Sequence, residues 1–328
     1  MARLQGISVL ILLFLFASVP LPARAGGAPV FVETWGSLGS ADGQFRRLHG
    51  VAASPDGFVY VADTRNNRIQ KFTTDGVFVS KWGTLGSGPG QLSWPHGIGV
   101  LPGGDVVVAD TRNKRVVRFQ SDGTYVRTWG SEGAAPGRFT KPIGLAVDAN
   151  GFVFVCDSAT HRVQKFTGTG AFVTMWGTRG SANGQFNVPV DCCVDSSGAV
   201  YVADAVNSRV QKFTNDGVFI LAWGETGSGD GQFQTPHVPA AGPDGSIYVS
   251  DEFNHRIQKF TNNGVFLTAF GSFGSGDGQF FAPMGVAVDR DGNVYIADST
   301  NHRVHKWADP IKVPVEDTTW GRTKAIFR

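Results

Sequence analysis

Apolar and polar residues along this chain follow a cycle rather than a single period. Phe58-Val-Tyr-Val-Ala62 is a continuous apolar run, Arg68-Ile-Gln-Lys-Phe72 alternates, and Val77-Phe-Val-Ser-Lys-Trp82 alternates again. A short continuous run reads as a strand buried on both faces, and alternation as a strand with one polar face. Turn chemistry punctuates the runs, with Pro55-Asp56-Gly57 ahead of Phe58 and Asp75-Gly76 ahead of Val77. Asp-Gly supplies the positive φ that tight hairpins require. With a first strand at Gly50–Ala53, the cycle predicts four short strands: Gly50–Ala53, Phe58–Ala62, Arg68–Phe72 and Val77–Trp82.

The cycle repeats with a fixed length. Asp63, Asp110, Asp157, Asp204, Asp251 and Asp298 are each 47 residues apart, and Arg68, Arg115, Arg162, Arg209, Arg256 and Arg303 keep the same register. A second phase holds Trp35, Trp82, Trp129, Trp176, Trp223 and Phe270, each followed by Gly. Four antiparallel strands in each of six units predict an all-β fold, a six-bladed β-propeller of four-stranded antiparallel blades. The first member of the Trp series, in Val30-Phe-Val-Glu-Thr-Trp35, precedes the first set of strands one to three. The N-terminal strand is therefore expected to complete the last blade and close the ring.

The text Asp251-Glu-Phe-Asn-His-Arg-Ile-Gln-Lys-Phe260, with Gly227-Ser-Gly-Asp-Gly-Gln-Phe233 before its unit, resembles the NHL repeat. The resemblance covers about residues 30–307. It implies the propeller fold and leaves the activity open, because one fold hosts many functions.

The ends read differently. Arg3 gives a positive start, Ile7–Val19 is apolar, and Ala23-Arg24-Ala25 is a small-x-small cleavage pattern. Residues 1–25 are thus expected to be a cleaved signal peptide, residues 26–309 the propeller, and residues 310–328 a C-terminal tail. Such a protein is secreted or periplasmic, with no stable membrane span. Losing Arg3 and Arg24 leaves acids and bases equal in number. A neutral chain lacks the basic footprint of nucleic-acid binding. Cys156, Cys192 and Cys193 are expected to be small buried thiols, since Cys156 stands where other units carry Ala62, Ala109 or Ala203.

An internal repeat separates scaffold from site. The Asp/Arg pair reads as structure because all six units have it, and the Trp-Gly series and the Gly-Gln-Phe turns, which recur in most units, read the same way. The slot before each first strand varies: His49, His96, Ile143, Val190, His237 and Met284. First strands line the central channel, so this slot rings one mouth. Loops such as Thr64–Asn67 emerge at the same end. Arg46, Arg47, His49, Arg65, Trp94, His96, Arg112, Lys141 and His237 are placed there, together with Asp191 and Glu252. Of these, Arg47, His49, Arg65, Trp94, His96, Arg112, Lys141 and His237 are the candidate ligand-binding residues. A basic, partly aromatic mouth favours an anionic ligand.

Three histidines also raise the question of a metal. Trp94-Pro95-His96 and Thr235-Pro236-His237 resemble the Pro-His contexts of peptidylglycine amidating lyase propellers, which implies zinc on His49, His96 and His237 and a calcium site near Asp191. The pattern departs from that family in three respects. The histidines sit on blades one, two and five, so sixfold geometry puts His237 across from His96 and predicts that they do not converge. No Tyr reaches the mouth, and the Arg-Glu-Asn-Gly run of the lyase is missing. Asp-rich loops such as Gly229-Asp-Gly231 are explained by turn chemistry without calcium.

The expectation is a monomeric recognition scaffold for a protein, peptide or anionic glycan. The rival readings are a metal-dependent lyase or hydrolase acting at the mouth and a structural envelope or matrix component.

Overall fold

A computed structural model describes residues 27–308. The expected signal peptide and the expected C-terminal tail lie outside the described residues.

Six four-stranded antiparallel sheets surround a common axis. Blade 1 comprises Val51–Ala53, Phe58–Asp63, Arg68–Thr73 and Phe78–Trp82, within a residue or so of the expected strands. Blades 2 to 5 start at Pro95, Pro142, Pro189 and Pro236 and repeat the same order. Blade 6 takes Pro283–Val288, Val294–Asp298 and Arg303–Ala308 from the C-terminal end and Val30–Trp35 from the N-terminal end. Val30 pairs with Ala308 and Trp35 with Val304, so the ring closes as the repeat count predicted.

The core lies between blades. One cluster joins Val59, Val61 and Phe72 of blade 1 to Tyr295, Ala297 and Val304 of blade 6. This explains the uninterrupted apolar second strands, whose two faces each meet a neighbouring blade. Close approach is set by small residues. A Cβ on Gly123 would come within 2.7 Å of the Trp82 ring, and the residue has φ +94°. The Asp-Gly turn thus serves the hairpin and also seats the Trp of the preceding blade.

The Asp/Arg pair holds loops, as expected. Asp63 is fully buried; its Oδ1 accepts the Arg46 N–H, and its Oδ2 accepts from Arg68, Asn66 and Gln70. Arg68 carries the node outward by donating to the carbonyls of Ser40, Ala41 and Gln44. Lysines at one repeat position bridge blades: Lys71 and Lys212 of the Gln-Lys-Phe text donate to the Ser121 and Asn262 carbonyls, and Lys306, in His305-Lys306-Trp307, donates to Asp75 across the ring closure. Cys156, Cys192 and Cys193 are buried free thiols.

Candidate functional site

The mouth is built by an unusual bend. Arg47, Trp94, Val188, Thr235 and Ala282, each just before an inner strand, have φ between 53° and 70°. Left-handed backbone is costly for such residues, for Val above all. Contacts between blades hold it. The N–H groups of Arg47, Trp94, Val188 and Ala282 donate to His302 Nδ1, Asn67 Oδ1, His161 Nδ1 and His255 Nδ1 of the preceding blade. Three of the seven histidines are therefore blade connectors.

Inward of the bend, His49, His96 and His237 come together. The rings of His49 and His96 lie 4.3 Å apart and those of His49 and His237 6.1 Å apart. This corrects the expectation that histidines on blades one, two and five would stay separate. The cause is the next ring position, occupied by Gly50, Gly97, Gly144 and Gly285 on four blades. A Cβ at Gly50 would fall 2.2 Å from the His96 carbonyl, and one at Gly285 2.2 Å from the His49 carbonyl. The inner strands approach so closely that the throat is narrow enough for side chains to meet across it.

Blade 4 places Asp191 in that glycine ring, where a Cβ at Gly144 would meet its carboxyl at 2.1 Å. Asp191 is buried, and Oδ1 accepts the Cys192 N–H at 2.7 Å. Burial pushes its carboxyl well above the usual carboxylate range. The carboxyl and the three imidazoles line a cavity of about 10 Å³, roughly the room one water needs.

The imidazoles are held neutral. Burial lowers His96 to about 4, against the opposing Trp94 carbonyl, and burial followed by the His96 charge lowers His237 to about 3. His49 falls well below 6.5 through burial, then through its two histidine neighbours. Thr111 Oγ1 donates to the Pro142 carbonyl, so it accepts from His96 Nδ1, 2.8 Å away. This assigns the Nδ1–H tautomer to His96 and leaves Nε2 as its free base. His49 Nδ1 and His237 Nδ1 are buried without a hydrogen-bond partner.

A histidine whose folded pKa lies below 6.5 adds stability above the unfolded value, and this is lost as pH falls toward the folded value. Between about pH 6.5 and 4 the unfolded chain takes up protons that His96 and His237 refuse. Acidification from pH 7 to 5 is expected to cost on the order of 1 kcal/mol per histidine, after allowing for partial exposure. Asp191 acts in the opposite direction, because its raised pKa favours the folded state at low pH. Thermal unfolding of the wild type beside a His96→Gln/His237→Gln variant isolates the histidine part. The variant should lose less stability on acidification, and parallel pH curves would contradict this account.

Above the throat lies a basin of about 650 Å³ lined by His49, Trp94, His96, Arg112, Lys141 and His237, six of the eight expected residues. Arg112 stacks on the Trp94 indole at 3.7 Å and Arg65 stands 5.7 Å from it. Arg47 and Arg65 line a neighbouring pocket of about 330 Å³ instead. The basin also takes in Lys114 and Glu252. Burial raises the Glu252 carboxyl, and Arg47 acts against that rise. Lys114 escaped the sequence reading, although it departs from Asn67 at the same repeat position, the kind of variation between units that marked His49, His96 and His237.

Among the described residues no group of three or more His, Cys, Asp or Glu side chains is placed to hold a metal ion, so the zinc set implied by the lyase resemblance is not assembled in the throat.

Comparison with known proteins matches the NHL repeat model at residues 45–72, 92–119, 139–166, 186–213 and 282–307. Curated protein sequences yield no match. Among solved structures, virginiamycin B lyase from Staphylococcus aureus is 18% identical, with 80% of each chain covered and a TM-score of 0.56. A gluconolactonase from Xanthomonas campestris is 14% identical over 87% of this chain and 99% of its own, with a TM-score of 0.60. A Bacteroides thetaiotaomicron protein of unknown function is 18% identical over 84% of this chain and 76% of its own, at 0.65. Likeness at this identity shows a shared fold.

Proposed function

We propose that this chain, a six-bladed β-propeller of NHL repeats, is an exported recognition scaffold that binds the anionic group of a glycan, peptide or protein in its mouth basin. One observation carries the reading. Arg112, Lys114 and Lys141 line the basin against a single acid, Glu252, whose own burial disfavours its charge. None of these three cations is paired with a carboxylate among the described residues. In a chain of balanced charge, that clustering suits a ligand that brings the missing negative charge. Rigid blades hold the loops that carry these residues, which suits binding with little reorganisation. Export is supported by Arg3, the apolar Ile7–Val19 and Ala23-Arg24-Ala25. A native protein that still carried residues 1–25 would count against it.

The test is isothermal titration with three tetrasaccharides: heparin-derived, hyaluronan-derived and a neutral maltotetraose. The wild type should bind one or both acidic sugars, more weakly as salt rises. An Arg112→Gln/Lys141→Gln variant should lose about tenfold or more per cation removed, because a charge-assisted bond contributes roughly 1.5–3 kcal/mol. Wild-type affinity in a folded variant would sink the proposal.

A second reading, acid–base catalysis in the throat, is favoured by the neutral His96 imidazole and the Asp191 carboxyl, whose pKa burial raises, lining one cavity. Two of the matching structures bear the names of a lyase and a lactonase. Product released from a bound sugar, and lost in His96→Gln with binding intact, would decide for it.

A further inference from the structure

The seam where the last blade meets the first carries a second pocket. It is lined by Arg46, Arg47, Arg65 and His302, with Leu38 and Thr300, and shares no residue with the basin. The repeat supplies its own control. Where blade 1 has Arg46, Arg47 and Arg65, blade 2 has Ser93, Trp94 and Arg112, blade 3 has Thr140, Lys141 and Ala159, and blade 6 has Phe281, Ala282 and Thr300. The blade therefore folds without cations at these positions, and three guanidiniums in one niche repel one another unless an anion sits among them.

Among the described residues no carboxylate lies within ion-pair distance of these guanidiniums, and Glu252, which feels the Arg47 charge, lines the basin rather than this pocket. Asp63, the carboxylate that takes the Arg46 N–H, is fully buried and already occupied by Arg68, Asn66 and Gln70. Arg46, Arg47 and Arg65 form no ion pair among the described residues. Their backbone is nevertheless fixed. Arg47 has φ 53° and its N–H donates to His302 Nδ1 at 3.0 Å, while the Arg65 N–H donates to the Arg46 carbonyl at 3.0 Å. Each guanidinium presents a planar fork of donors suited to oxyanions. Three forks and the Thr300 hydroxyl offer more donors than the two oxygens of a carboxylate accept, which selects a tetrahedral group.

We propose that the seam pocket binds a phosphate or sulfate group. The proposal goes beyond the mouth reading and does not depend on it. Titration of the mature protein at low salt with inorganic phosphate, and separately with glucosamine 6-sulfate, distinguishes a free anion from an ester. One site per chain is expected for at least one probe. An Arg46→Gln/Arg47→Gln/Arg65→Gln variant should weaken it at least about tenfold, and Arg112→Gln/Lys141→Gln should leave it unchanged. Arg65→Lys, which keeps the charge and loses the fork, should fall between, and guards against a triple variant that fails to fold. No binding of either probe by the wild type would overturn the proposal, as would wild-type affinity in both the triple and Arg65→Lys variants. Loss of this site with acidic-sugar binding in the basin intact, or the reverse, shows which of the two readings has failed.

Discussion

Replacement of Asp63 by alanine is expected to destabilise the ring by about 3–5 kcal/mol, the usual cost of breaking a buried ion pair from one side. Asp63 is fully buried, and its loss strands the Arg46 N–H, deprives the Arg68 guanidinium of its carboxylate and leaves the Asn66 and Gln70 amides only the Gly39 and Gln44 carbonyls. Arg68 is itself buried, so its charge keeps only the carbonyls of Ser40, Ala41 and Gln44. Those carbonyls belong to the loop that enters blade 1, so the damage spreads from the node to the seam. Denaturant unfolding measures the change, and the thermal midpoint should drop on the order of 10 °C. Asp63→Asn, which keeps the shape and one acceptor, should fall between the two. A loss under 1 kcal/mol in the alanine variant would mean that the sixfold pair is not what secures the loops.

Deleting residues 1–35 should cost still more, because it opens the ring. Val30–Trp35 is the outer strand of blade 6, hydrogen-bonded to Arg303–Ala308. Trp35 lies 6.1 Å from Phe72 of blade 1 and 6.2 Å from Tyr295 of blade 6, and Phe31 packs edge-on against Trp307. A fully buried aromatic truncated to alanine typically costs about 3–5 kcal/mol; here two half-buried ones leave together with a whole row of backbone hydrogen bonds. The uncovered Arg303–Ala308 edge also becomes a template for pairing with other chains. The expected result is a broadened, lower unfolding transition and oligomers by size-exclusion chromatography. Adding a peptide of residues 27–37 should restore part of the midpoint. A monomeric truncated chain with the wild-type midpoint would show that closure by this strand contributes little.

Both predictions rest on features that the chain spells out. The 47-residue recurrence of Asp63 and Arg68, the Trp-Gly series and the Asp-Gly turns prescribe blade number, strand order and even the borrowed N-terminal strand. Each is a local rule about pairing, turning or burial repeated six times, and repetition multiplies a weak local signal until it specifies the whole ring. The same repetition identified the variable face, since Arg112, Lys141 and His96 break a pattern that Asp110 and Arg115 keep.

Distance across the ring was not legible in this way. Sixfold symmetry gives angles between blades and no radius, so His237 was expected to stand apart from His49 and His96. The radius follows from how closely inner strands pack at Gly50, Gly97, Gly144 and Gly285, a property of neighbouring blades that no single repeat contains. Packing likewise placed Arg47 and Arg65 in the seam pocket while Arg112 and Lys141 entered the basin, although all four stand at comparable places in the repeat. The raised pKa of the Asp191 carboxyl and the neutrality of the three imidazoles belong to the same class, because burial depends on what the other blades bring to the throat. Residue order thus determined the blades and the face that carries the site. The tertiary structure alone decided which side chains meet there and in what charge state, since contacts and solvent exclusion across a closed ring arise only once the ring is closed.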